Sequence, residues 1–235
     1  MHPDLDLQHS IRPGLDIPAN EILISLKKRT RFMTNPEVYV PGLVVSSPNV
    51  SLLQFELGRV ETMHAELGRY TYADQESFTD VASVESVISR AAPESPIQRM
   101  PSGVGTRILE YYQGWVNVGC ETGSDANTFG ETVTADVVAL LAIMERINLG
   151  KYVAESKYLV APEPFHEAGY DRDAILDLIV RKDREGQVFE IARQLADNYA
   201  FDQEQAVQLF EFMVEVTKDV EVDYIRRRLN LTPDD

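Results

Sequence analysis

Apolar residues recur at three- and four-residue steps through most of this chain, the period of an α-helix. Leu52, Phe55, Leu57, Val60, Met63 and Leu67 hold that spacing and predict a helix over residues 49–70. Pro18, well suited to a first helical turn, predicts another over 18–34, stopped by Asn35-Pro36. Further helices are predicted over 74–91, 104–120, 173–181, 183–200 and 202–229. Between them a longer helix follows the break at 123–127 and runs to about residue 159, where Pro162 and Pro164 end it. Residues 1–17, with Pro3, Pro13 and Gly14, predict a loop or arm that carries Arg12. The β-branched run VYVPGLVV at 38–45 could form a strand, but Pro41 interrupts it. With no strand alternation of useful length, no repeat and no low-complexity linker, the expected architecture is one all-α domain over 1–235, a helical bundle around the long helix.

Polar residues break the apolar stripes at a few places. In the long helix Ala135, Ala139, Ala142, Arg146, Gly150, Val153 and Lys157 share one side. Two cations thus stand among small residues, eleven positions or roughly 16 Å apart. In the last helix Thr217 and Glu221 project from the stripe formed by Ala206, Phe210, Met213 and Tyr224, while Glu211, Glu215, Lys218, Asp219 and Arg226 fall away from it. A carboxylate on a core-facing stripe must be paired or protonated, and a core arginine partner would satisfy Glu221 without any further role. Glu185 lies in line with Phe189, Ala192 and Ala196; a place in the first turn of a helix would account for it through the dipole alone. Two core-facing cations and two core-facing acids on three helices suit a small, dense anion and a reaction driven by electrostatic positioning.

Composition narrows the classes. The 235 residues are 44% hydrophobic and 26% charged, with a net charge of −16. Such a field disfavours nucleic acid and anionic membrane surfaces as partners. No apolar run is long enough for a membrane span, and MHPDLDLQHS has no charged-then-apolar leader pattern, so a cytoplasmic protein is expected. A single cysteine, Cys120, excludes an internal disulfide framework and a cysteine-rich metal centre. His2, His9, His64 and His166 have no metal-ligand spacing, and the sequence holds no GxGxxG, P-loop or GxSxG. A metal is not expected.

The segment NTFGETVTADVVALLAIMERINLGKYVAESKY, with its RI-x-x-GK-[FY]-VAE-[AS]-K core, resembles the signature helix of the all-helical chorismate mutases of the fungal and plant branch. TKDVEVDYIRRRL is similar to that family's C-terminal helix, and SIRPGLDIPANEILISLKKRTRFMTNPEVY to its first helix and PxVY ending. The resemblance implies the rearrangement of chorismate to prephenate, for phenylalanine and tyrosine synthesis, without a cofactor. It would give Arg146 and Arg12 the two substrate carboxylates, and Lys157 and Glu221 the ether oxygen. Glu185 would hold the substrate hydroxyl, with Thr217 lining the site beside Glu221. Arg181 stands where the fungal pattern has Asn.

The resemblance also implies a homodimer with an aromatic amino acid effector site at its interface, at Arg69, Gly130 and Thr134. Gly68 replaces an Arg of the fungal pattern there, and Glu131, replacing a Ser, adds a negative charge. Two other readings use the same residues: an isochorismate pyruvate-lyase on a related scaffold, and a non-catalytic helical dimer that binds a ligand or partner. Retention of Arg146, Lys157, Glu185, Thr217 and Glu221 together argues against the last.

Overall fold

Ile22, Leu23 and Leu26 are wholly buried, and they fix the first helix of the computed structural model against the long central one. The structure describes residues 5–89 and 94–230. Its main helices are α1 (Arg12–Arg29), α2 (Leu52–Glu66), α3 (Gly105–Gly119), α4 (Phe129–Asn148), α5 (Gly150–Val160), α6 (Pro162–Ala168), α7 (Arg172–Ile179), α8 (Lys182–Asn198) and α9 (Gln203–Asn230). Among the described residues there is no strand, only an isolated bridge between Pro41 and Ser51. No described helix is long and apolar enough to cross a membrane.

The apolar side chains form two cores. The larger joins α1, α2, α3, α4 and α8 to the first two-thirds of α9, from Ala206 to Val220. The smaller gathers Leu5, Ile11, α5, α6, α7 and the end of α9, with Ile97 and Met100 from the preceding loop. α9 runs through both, and Thr217 and Glu221 sit on it where one core gives way to the other.

Four expectations change. The arm over residues 1–17 is helical from Leu7: a π-turn, Leu7–Ile11, feeds directly into α1. Asp6 caps that turn by accepting from the Gln8 and His9 N–H groups at 2.9 Å each. Pro13 follows that turn directly, at the second position of α1, and withholds one helical bond. Pro18, deeper in the helix, withholds another, but burial of Ala19, Ile22, Leu23 and Leu26 against α4 outweighs both losses.

The predicted helix over 74–91 does not form over its described part, 74–89. Side chains take the backbone groups a helix would use, which is how Ser, Thr and Asp compete with helical bonding. Fully buried Glu61 accepts from the Phe78 and Thr79 N–H groups at 2.6 and 2.8 Å. Ser77 Oγ donates to the Thr79 carbonyl at 2.7 Å, and Asp80 accepts from the Ala82 N–H at 3.0 Å.

The long helix is two helices, α4 and α5, joined at Leu149, which keeps helical dihedrals. Pro162 does not merely end α5; it starts α6, at a position where a proline costs no bond.

A buried network anchors α4 at its other end. Arg29 Nε donates to Asp136 at 2.7 Å, and Tyr39 and Tyr112 hydroxyls donate to the same carboxylate at 2.7 Å each. The Arg29 guanidinium also serves the Phe32, Met33 and Thr34 carbonyls, so both charges are satisfied away from water.

Candidate active site

A cavity of 360 Å³ opens along the seam between the two cores, and Arg12, Arg146, Lys157, Glu185, Thr217 and Glu221 all line it. They come from five helices. Arg12 is the first residue of α1, Arg146 lies in the last turn of α4, and Lys157 in the last turn of α5. Glu185 lies in the first turn of α8, and Thr217 and Glu221 are one turn apart on α9.

α5 and α9 meet closely here. A Cβ on Gly150 would fall 2.6 Å from the Thr217 methyl and 3.6 Å from Glu221 Cγ. The glycine in the small-residue stripe is therefore what lets the two walls approach. Lys157 Nζ then reaches Glu221 Oε2 at 2.7 Å and the Ile179 carbonyl at 2.8 Å. The partner of Glu221 is thus a lysine, not the core arginine that the apolar stripe allowed.

Burial pushes the Glu221 carboxyl above its ordinary value. Lys157 opposes the shift most, followed by Arg146 and Lys218. Enclosure also pulls the Arg146 guanidinium down to about 10, while Asp16 and Glu221 pull the other way; at neutral pH it keeps its charge. Its Nε is buried without a hydrogen-bond partner, and so is Thr217 Oγ1. Buried donors are rarely left unsatisfied in a folded protein. Both residues line the cavity.

Four charged residues at the cavity were not read as site residues from the stripes. Lys218 lies one position beyond Thr217, about 100° around the helix, and so fell outside the core-facing stripe. In the structure it lines the cavity and its Nζ lies 2.8 Å from Glu185 Oε1. Asp16 and Arg184 also line the cavity, together with Arg181, which the sequence singled out only as a departure from the pattern. The lining therefore holds six cations against Asp16, Glu185 and Glu221, in a chain whose net charge is −16. Leu7, Val153, Val188, Ile191, Phe210 and Met213 supply an apolar remainder. Among the described residues, no three His, Cys, Asp or Glu side chains are grouped as a metal ion would need.

Arg69, Gly130 and Thr134 do not line this cavity, and the chain does not bring them together. Arg69 Nη2 donates to Glu145 Oε2 at 2.7 Å and Nε to Gln75 at 2.8 Å. Glu145 is eleven residues, roughly 16 Å, along α4 from Thr134. Gly130 lies in the first turn of α4 with open space around its Cα.

Residues 131–222 match the family model described as chorismate mutase type II. Over 240 residues the chain is 28% identical to a chorismate mutase of Schizosaccharomyces pombe, covering 94% of this chain and 95% of that protein. It is 25% identical over 244 residues to chorismate mutase 1, chloroplastic, of Petunia hybrida, covering 94% of this chain and 75% of the other. A chorismate mutase from Candida albicans, solved in complex with L-Trp, has the same fold, with a TM-score of 0.90 at 24% identity over 96% of this chain and 92% of that one.

Proposed function

We propose that this chain is a type II chorismate mutase, a reading supported by the match over residues 131–222 and by the 28% identity to a fungal chorismate mutase, and that it rearranges chorismate to prephenate in the cavity between α1, α4, α5, α8 and α9. The observation that carries this reading is the Lys157–Glu221 pair, 2.7 Å apart, facing a cavity whose Arg146 Nε and Thr217 Oγ1 have no partner.

The reaction is an intramolecular shift in which one C–O bond breaks as one C–C bond forms. It requires no nucleophile, and the enzyme's task is to hold a chair-like conformer and to stabilise charge that develops on the ether oxygen. Arg146 and Arg12 fix the two carboxylates of the substrate, and orientation of this kind supplies up to about 7–11 kcal/mol of barrier lowering. Lys157 is locked by the Ile179 carbonyl and Glu221, so its ammonium needs no reorganisation as the ether oxygen becomes negative. Glu221, protonated, donates to the same oxygen. Each such preorganised donor is worth roughly 3–4 kcal/mol. Glu185 accepts from the substrate hydroxyl, and Thr217 offers its unpartnered hydroxyl beside Glu221. The cationic lining draws an anionic substrate into a molecule that is otherwise strongly negative.

The effector site proposed for an aromatic amino acid comprises Arg69, Gly130 and Thr134. The separation of Arg69 from Thr134 within one chain supports a site completed by a second copy in a homodimer. Glu131, next to Gly130, opposes an effector carboxylate there.

The test is to give the purified protein chorismate and, separately, isochorismate, and to follow what is consumed and formed. Prephenate is the expected product. Salicylate with pyruvate would instead establish a lyase, and turnover of neither would leave a binding protein. Lys157→Ala should abolish turnover at unchanged helicity; full activity in that variant would remove Lys157 from the site.

A further inference from the structure

Lys218 is held from two sides. Its Nζ lies 2.7 Å from Glu215 Oε1, one turn earlier on α9 and mostly exposed, and 2.8 Å from Glu185 Oε1 on α8. Of these three residues Lys218 and Glu185 line the cavity and Glu215 does not. The ammonium is thus anchored on its outer side and presented to the cavity carboxylate on its inner side. Burial works against its charge, but hydrogen bonds to Glu185 and Glu215 more than offset this, so Lys218 stays cationic across the neutral range.

A carboxylate has about four acceptor sites on two oxygens. A cation fixed on Oε1 settles the rotation of the group and leaves Oε2 as the acceptor for a hydroxyl. It also compensates a negative charge that would otherwise repel an anionic ligand in the same cavity.

We propose that Lys218 is a positioning residue, which orients the Glu185 carboxylate toward the substrate hydroxyl and neutralises it against the anionic substrate. This rests on the chorismate mutase reading above. Two effects follow. Without Lys218 the carboxylate rotates away from the hydroxyl, which lowers kcat, and its uncompensated charge raises KM. A misplacement of about 1 Å near the reacting groups is enough for a hundredfold loss.

The test uses Lys218→Met, Lys218→Arg, Glu185→Gln and the double variant Lys218→Met/Glu185→Gln, with kcat and KM for chorismate and the Tm of each. Lys218→Met should lose roughly ten- to a hundredfold in kcat/KM, with kcat and KM both changed. Lys218→Arg should restore most of it by keeping a cation on Glu185. Once Glu185 is Gln there is no charge to orient, so adding Lys218→Met should cost less than about threefold, the non-additivity expected of coupled groups. Lys218→Gln replaces the Met variant should the latter lose Tm. Full activity in both uncharged variants, or losses that simply multiply in the double variant, would overturn the role of Lys218 while leaving the mutase reading intact. A wild-type protein that does not consume chorismate would overturn both.

Discussion

Gly150 and Thr217 touch so closely that a single added carbon on the glycine would stand 2.6 Å from the threonine methyl. This contact sets the spacing of α5 and α9, and with it the 2.7 Å reach of Lys157 to Glu221. It also falls at Leu149–Gly150, where the predicted long helix divides in two.

Gly150→Ala should therefore harm both stability and activity, although alanine is the better helix former by up to about 1 kcal/mol. Overpacking a tight contact costs about 1–3 kcal/mol, a fall in Tm of roughly 2–12 °C for a chain of this size. Turnover should fall further than stability, because the displaced wall carries Glu221. Thr217→Ser removes the clashing methyl and keeps the hydroxyl, so Gly150→Ala/Thr217→Ser should recover much of the lost Tm. Thermal melts and chorismate kinetics on the four proteins check this; an unchanged Gly150→Ala variant would show that the walls part freely.

The pair formed by Arg29 and Asp136 sits in the larger core, and its loss should act on stability rather than through the cavity. Asp136→Ala leaves the Arg29 guanidinium wholly buried without its countercharge, and strands the Tyr39 and Tyr112 hydroxyls. Removing one partner of such a pair costs about 3–5 kcal/mol, or roughly 6–20 °C in Tm. Calorimetry or circular dichroism at neutral pH reads it directly. A shift under 2 °C, on the order expected of a surface change, would mean that water replaces the lost carboxylate.

The helices and the site were legible to different depths, for physical reasons. Helical periodicity found α2, α3, α8 and α9 because each buries one continuous stripe. It also put Arg146, Lys157, Thr217 and Glu221 on inward faces, since a charge in a small or apolar stripe stands out against its neighbours. Local propensity failed where tertiary contacts decide. Burial of Ala19 and Ile22 carries α1 through Pro13 and Pro18, and buried Glu61 takes the amides of Phe78 and Thr79 from any helix there. Lys218 escaped because a stripe is a one-dimensional reading. Its side chain leaves α9 at the rim of the stripe, and only the position of α8 turns that rim into a cavity wall.

The pH dependence of activity should report Glu221. Burial raises its pKa in the folded protein, with Lys157 as the main opposing influence. A raised carboxyl holds its proton to a higher pH than an ordinary Glu, and only the protonated form can donate to the ether oxygen. Activity is thus full below that pKa and falls as pH rises through it, by at most about tenfold per unit. Binding a dianionic substrate beside Glu221 favours the neutral form further. The limb in kcat, which reports the bound enzyme, should accordingly lie at higher pH than the limb in kcat/KM, which reports the free enzyme. Stability carries the same sign. With its folded pKa above the unfolded value, the native state binds more protons through that interval, so the contribution of Glu221 is present at low pH and is lost as pH rises. Glu221→Gln donates at every pH; its profile should be flat across the range where the wild type declines, and its Tm less dependent on pH there. Rate profiles and melts on the two proteins decide the matter, and a wild-type rate that climbs steadily into alkaline pH would rule out a protonated Glu221 as the donor.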